Sequence, residues 1–522
     1  MAPATEMANL RQFARNVTTN WLALAANIVV PFFLTPFIVH HLGDVAYGLW
    51  ILIVATVGYM SLMDMGLRAA IIRFVSQSVA RGEHDESKRV VSAALQMRCL
   101  IGGIVLLVGI GLALLFPRFF AVPHDLLRSA QWAVIVTSVN LALTLILDVY
   151  GAVLAALHRF DVISYWTIAQ LLLRAGGLVW LLLAGHGILA LAVWELATTL
   201  IAKLGILLQT LRVYPQLLLP IERRAGTLRK IWGYSFWVFV NSIACQLVYA
   251  TDNLVVGAMV APAAVTFYTI GSSLLSYSGQ VVSSVTTTFT PIASGLDAEG
   301  KLGQLRRLLI QGTTLSLALI LPTTLALFFR GGTFIRLWMG AHYAVVSETV
   351  LRILFINIVL TAATVTASQI CYGMGRHKTQ AIWAAITGAA NLALSIGLAA
   401  AWAPRGLAWG DYAVAWGTAV PALAMNLVFW PIYVRKVLGV RVRDFVWHAW
   451  LRIALASIPY AIACWWTERI WPAHNLVYFF LQIAVVLPAY ILPVAAMFWK
   501  DAAPLLRDRL KWWPRAAESA NA

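Results

Sequence analysis

Apolar stretches long enough to cross a bilayer recur about fourteen times along the 522 residues, and the segments between them are too short to fold on their own. A helix needs about 20 apolar residues to traverse the hydrocarbon. Stretches near 17–39, 45–67, 90–116, 129–157, 163–184 and 188–211 supply six. Six more lie near 231–258, 264–292, 308–329, 346–373, 381–402 and 412–434, and a last pair near 448–467 and 475–499. Inside lipid only helices or closed barrels satisfy the backbone, and these runs are continuous rather than alternating. The pattern predicts an all-α integral membrane protein of about 14 helices. With 11% charged residues, the chain also lies far from soluble domains, in which about a quarter are charged. The first run is full length, carries Pro31 and Pro36 and has no small-residue cleavage site, so it reads as a span and not as a signal peptide.

The net charge of +17 raises the question of nucleic acid, and its distribution answers it. With the N-terminus inside, 26 Lys and Arg fall on the inner side, from Arg11 and Arg15 through Arg223, Arg224 and Lys378 to Arg515. Only Arg118, Arg128, Arg330, Arg336, Arg405 and Arg469 fall outside. This is the positive-inside bias, so both termini are expected to be cytoplasmic, with an even number of spans. The charge therefore points to membrane lipids and not to a nucleic-acid partner.

Several chemistries are excluded by spacing. Cys99, Cys245, Cys371 and Cys464 each stand alone in or beside an apolar run, without CxxC pairs, and read as small hydrophobes. No HExxH and no GxxxxGK[ST] occurs, so neither a metal centre nor ATP hydrolysis is expected within the chain, and no cofactor. The outer loops, of which 330–345 is about the longest, leave no room for a soluble catalytic domain.

The polar interruption at 213–230, with Pro215, Pro220 and Glu222-Arg223-Arg224, divides six spans from six. The expected organisation is a first lobe at 1–212, an inter-lobe linker at 213–230 and a second lobe at 231–434. Two further helices and a tail occupy 435–522. A weak repeat, Leu34 to Tyr47 echoed by Thr251 to Tyr268, fits the repeated-lobe plan of secondary transporters.

Asn16 through Asn27, Pro31, Leu42-Gly43, Tyr47-Gly48-Leu49-Trp50, Tyr59, Asp64-Met65-Gly66-Leu67 and Arg73 resemble the opening of polysaccharide and lipid-linked oligosaccharide flippases. Asp252-Asn253-Leu254-Val255-Val256-Gly257, with Pro291 in a Ser/Thr-rich helix, resembles the start of their second lobe. These flippases belong to the multidrug, oligosaccharidyl-lipid and polysaccharide exporter superfamily. The resemblance implies two six-helix lobes around a central cavity, and export of an undecaprenyl-pyrophosphate-linked glycan across a bacterial inner membrane. It also implies polysaccharide polymerases and glycosyltransferases as functional partners.

Ionisable groups inside the spans are the natural candidates for such a headgroup, because each costs about 2.5 to 3.5 kcal/mol on insertion scales and needs a partner or a wet cavity. Arg174 and Lys203 lie deepest. Either they form structural pairs, Arg174 with Glu195 for example, or they grip a pyrophosphate. Asp64 and Arg68 stand four apart, acid first, and read as a neutralising pair on one helix face that would line the inner mouth. Arg98, Asp148, Asp252 and Arg352 lie nearer the interfaces, where long side chains snorkel. Thr269, Ser273, Ser276, Gln280, Ser283 and Thr287 share one helix face, and Asn357, Thr361, Thr364 and Ser368 another. Such stripes either let helices pack closely or line a cavity for sugars. The reading is a lipid-linked oligosaccharide flippase and not an enzyme. A drug or cation antiporter of the same superfamily would favour a carboxylate-centred cavity. A membrane-embedded glycan-processing enzyme would change its glycolipid covalently. The glycan, the coupling ion and the oligomeric state are not written in the sequence.

Overall fold

A computed structural model describes residues 2–64, 66–218, 243, 246 and 251–498. These residues are helical, without strands. Twelve of the helices are long and apolar enough to cross a membrane, so the chain is a multi-pass membrane protein. The helices of the described residues begin with α1 (Ala2–Leu42), α2 (Asp44–Tyr59) and α3 (Leu67–Ala80), which together make one of the twelve spans, α4 (His84–Phe119), α5 (Leu127–Ala156), α6 (Phe160–Leu183) and α7 (Ile188–Val213). Of these, it is α2 and α3 that form the single span, Asp44–Ala80. They continue with α8 (Thr251–Met259), α9 (Pro262–Thr286), α10 (Phe289–Ala298), α11 (Leu302–Trp338), α12 (Ala341–Gly373) and α13 (Lys378–Trp402). The last are α14 (Leu407–Leu438), α15 (Val442–Ile470) and α16 (Leu476–Phe498). The expected spans at 231–258 and 264–292 are not among the twelve. The first lies mostly outside the described residues, as do the linker from 219 onward and Cys245. The second is α9, whose serines and threonines lower its hydropathy.

The chain divides into two compact units. One comprises residues 1–269 with 384–418, the other 270–383 with 419–522. In the first, α6 and α7 lock by reciprocal tryptophan-on-glycine packing. A Cβ at Gly205 would stand 2.2 Å from the Trp166 ring, and one at Gly177 would stand 1.9 Å from that of Trp194. Close backbone approach of this kind is how membrane helices associate when lipid is as apolar as their side chains. It also fixes the register of the polar groups that α7 carries. The span formed by α2 and α3 is broken. A 3₁₀ turn at Met60–Asp64 is followed by Gly66 at φ 72°, a left-handed conformation that suits glycine. Irregular backbone at membrane depth is tolerated where it is buried in protein or lines a wet cavity.

In the second unit, α15 and α16 pack into the core and are not appended to it. Ile453, Tyr460 and Cys464 of α15 join Tyr490 and Val494 of α16 against Leu317, Ile320 and Leu321 of α11. The contact is pinned by Arg330, fully buried, whose Nε meets Glu468 Oε2 at 3.0 Å and whose guanidinium lies 4.8 Å from the Phe479 ring centre. The Tyr490 hydroxyl donates to the Ala318 carbonyl at 2.8 Å. The last two helices are therefore structural members of this unit. Of the described cysteines, Cys371 and Cys464 are buried, whereas Cys99 is exposed on α4.

Candidate functional site

The break in the second span presents Asp64 to a cluster drawn from four helices of the first unit. Arg98 of α4 pairs with Asp64 and donates to the Leu145 carbonyl of α5. Asp148 of α5 accepts from two cations, one on each oxygen: Lys203 Nζ of α7 at 2.9 Å on Oδ1 and Arg68 Nη1 of α3 at 2.6 Å on Oδ2. Arg98 Nη1 stands 3.8 Å from the second of these oxygens. Three cations thus share two carboxylates. Arg98 is 1% exposed and Lys203 16%, whereas Arg68 is 41% exposed. Buried charge in a membrane protein survives only when paired or wetted, and this cluster is both.

Two sequence expectations change here. Asp64 and Arg68 do not neutralise each other along one helix face, because the helix is interrupted between them at Gly66. Asp64 pairs with Arg98 instead, and Arg68 with Asp148. Arg98 and Asp148 do not snorkel. They are the centre of the network, joined across 34, 80 and 55 positions of sequence, which no local spacing reveals. Arg174, by contrast, stands outside this cluster. Its Nε meets Glu195 Oε2 at 2.6 Å, the ion pair that the sequence offers as its structural alternative.

In the second unit, Ser276, Gln280, Ser283 and Thr287 of α9 and the turn after it are all exposed. Ser276 and Thr287 donate to carbonyls of their own chain three or four residues back, so they are satisfied without a neighbouring helix. A face of hydroxyl and amide groups uncovered by protein suits water and sugar far better than lipid. The shorter stripe on α12 is spent on packing: Asn357 accepts from Thr361 at 3.2 Å, Thr364 donates to Asn426 at 2.6 Å, and Gln380 donates to Ser368.

A second polar site in the first unit forms around Asp252, which the sequence places nearer the interface and the fold buries. Asp252 of α8 is 8% exposed. Among the described residues no cation pairs with it. The Thr418 hydroxyl meets its two oxygens at 2.7 and 2.8 Å and accepts from the Asn391 amide at 2.9 Å, while the Tyr268 hydroxyl donates to Oδ2. The remaining Asn391 oxygen is buried without a partner. Neutral donors alone do not compensate a carboxylate withdrawn from water, so this one requires a proton or a cation. A cleft of about 910 Å³ also opens at the turn between α3 and α4. Its Arg81, Lys88 and Arg89 are balanced by Glu83, Asp85 and Glu86, and it reads as a solvated charged turn.

A family model described as "Polysaccharide biosynthesis protein" matches residues 41–348, more than half of the chain. The chain is 25% identical over 468 residues to the "Uncharacterized membrane protein EpsK" of Bacillus subtilis (strain 168), covering 87% of this chain and 88% of that protein. It is 20% identical over 360 residues to the "Putative O-antigen transporter" of Shigella flexneri, covering 66% of this chain and 81% of that protein. Among solved structures it resembles the lipid II flippase MurJ in an inward closed conformation. There the TM-score is 0.73 at 14% identity, over 93% of this chain and 99% of that one.

Proposed function

The chain belongs to the polysaccharide biosynthesis protein family, and from that membership we propose that it is a flippase-type transporter and not an enzyme. Its substrate in this reading is an undecaprenyl-pyrophosphate-linked oligosaccharide, moved from the cytoplasmic to the periplasmic leaflet of a bacterial inner membrane by alternating access. The observation that carries the reading is the intramembrane cation cluster at the broken second span. Arg68 and Lys203 reach it from two helices with donors still unspent, and charge-assisted hydrogen bonds to phosphoryl oxygens are what such groups make best. Asp64 holds the frame through Arg98. The exposed face bearing Ser276, Gln280 and Ser283 offers uncharged hydrogen bonds to sugars, and Asn357 of α12 is a further amide of the same kind. Polymerases and glycosyltransferases of surface polysaccharide assembly would act before and after this step.

The test is flipping of a fluorescent lipid-linked oligosaccharide by purified protein in liposomes. Lys203→Gln removes one charged hydrogen-bond donor, worth about 1.5–3 kcal/mol, and is expected to slow flipping by roughly tenfold or more. Arg174→Gln breaks a half-exposed ion pair worth about 1 kcal/mol or less and is expected to change the rate by no more than about fivefold. Wild-type flipping by Lys203→Gln would sink the cationic-cluster mechanism, and covalent change of the glycolipid would favour the enzyme reading.

Energy for export must enter from a gradient or a partner, since the chain carries no nucleotide-binding motif. Asp252 is where the geometry supports uptake of a proton or a small monovalent cation. Its enclosure by Tyr268, Asn391 and Thr418 suits a proton or small ion rather than an organic cation. In this orientation both termini are cytoplasmic. A reporter fused after Lys378 should be cytoplasmic and one at Gly340 periplasmic. The reverse result at Gly340 would undo the span count.

A further inference from the structure

We propose that Asp148 is an exchangeable internal counter-anion: it holds Arg68 and Lys203 in place when the site is empty and yields them to the phosphoryl oxygens of the substrate. The inference rests on the flippase reading and assigns a role to a residue that the reading leaves unexplained. Asp148 places one carboxylate oxygen on each of the two cations, at 2.6 and 2.9 Å, as two non-bridging phosphoryl oxygens would. Asp64, the other carboxylate, is committed to buried Arg98. The cluster thus has a fixed half, Asp64 with Arg98, and a second half in which Arg68 is 41% exposed and Lys203 16%.

Charge balance points the same way. Empty, the cluster carries one cation in excess of its carboxylates. A pyrophosphate diester keeps one acidic oxygen on each phosphoryl group. If it settled beside Asp148 the site would hold an uncompensated negative charge, whereas with Asp148 turned away Arg68 and Lys203 match its charges one for one. No side chain at Gly151, one turn on along the same helix, crowds the carboxylate: a Cβ there would stand 3.4 Å from Asp148 Oδ1. Return of Asp148 then competes with the departing headgroup and favours release.

The experiment measures binding of a farnesyl-pyrophosphoryl monosaccharide, a pyrophosphate diester, to detergent-purified full-length protein, alongside flipping in liposomes. Asp148→Asn keeps the shape and removes the competitor. It should tighten binding by roughly tenfold, one like-sized charge term, and slow flipping because release is no longer assisted. Asp148→Glu, which keeps the charge, should not reproduce the tightening. Added to Lys203→Gln, which restores the net charge, Asp148→Asn should regain affinity that Lys203→Gln alone loses. That pair keeps the test valid if the single variant folds poorly. Affinity unchanged or weakened in Asp148→Asn, and no recovery in the double variant, would overturn the proposal while leaving the flippase reading intact. Wild-type protein that neither binds the farnesyl-pyrophosphoryl monosaccharide nor flips lipid-linked oligosaccharide would overturn both.

Discussion

Arg98→Met is expected to be the most damaging single change in the first unit, removing most of the protein from the membrane fraction and lowering its melting temperature in detergent by several degrees. Arg98 is 1% exposed, pairs with Asp64 and reaches the Leu145 carbonyl and the edge of Asp148. Removing one member of a buried pair typically costs about 3–5 kcal/mol, because the partner charge is stranded. Total stabilities are only about 5–15 kcal/mol. Asp64→Asn in the same chain should recover part of the loss by removing the stranded carboxylate. Arg68→Met, at 41% exposure, is expected to leave the melting temperature nearly unchanged, since a half-solvated ion pair contributes about 1 kcal/mol or less. Equal melting of Arg98→Met and wild type would show that the cluster is not the structural frame of this unit.

What the sequence makes legible follows from how far apart the interacting residues are. Span number, helical class and charge asymmetry are properties of continuous runs, and the structure has twelve such helices among its described residues. The hydroxyl stripe of α9 is legible for the same reason, since residues three and four apart share a face. The cluster partners are not legible in this way. Arg98 and Asp148 look like interfacial residues one at a time, and only the packing of α4 and α5 on the broken second span makes them a network. The Asp64–Arg68 pairing fails on one residue. Gly66 in a left-handed conformation interrupts the helix on which the four-residue spacing depends. A glycine directly between an intramembrane acid and base was the available signal. Asn391, Thr418 and Tyr268 could not be singled out, because neutral residues on three separate helices acquire meaning only around the carboxylate they enclose.

That enclosure yields the other large expected effect. Asp252→Asn should reduce flipping by roughly a hundredfold or more, about 3 kcal/mol of lost coupling, in protein that still accumulates and melts like wild type. The amide keeps an oxygen to accept from Tyr268 or Thr418, and both hydroxyls can in turn accept from its nitrogen, so the hydrogen-bond shell survives the change. What is lost is the negative charge that calls for a proton or cation. The residual rate should therefore no longer respond to an imposed pH or sodium gradient across the liposome membrane, whereas the wild-type rate should respond to one of them. Asp252→Glu, with its charge kept and its reach lengthened in a closed site, should fall between the two. Headgroup binding by Arg68 and Lys203 should be retained in Asp252→Asn, because those cations belong to a different set of side chains. Gradient-dependent flipping at the wild-type rate by Asp252→Asn would remove Asp252 from the coupling step and leave the energy source to a group elsewhere in the chain or in a partner.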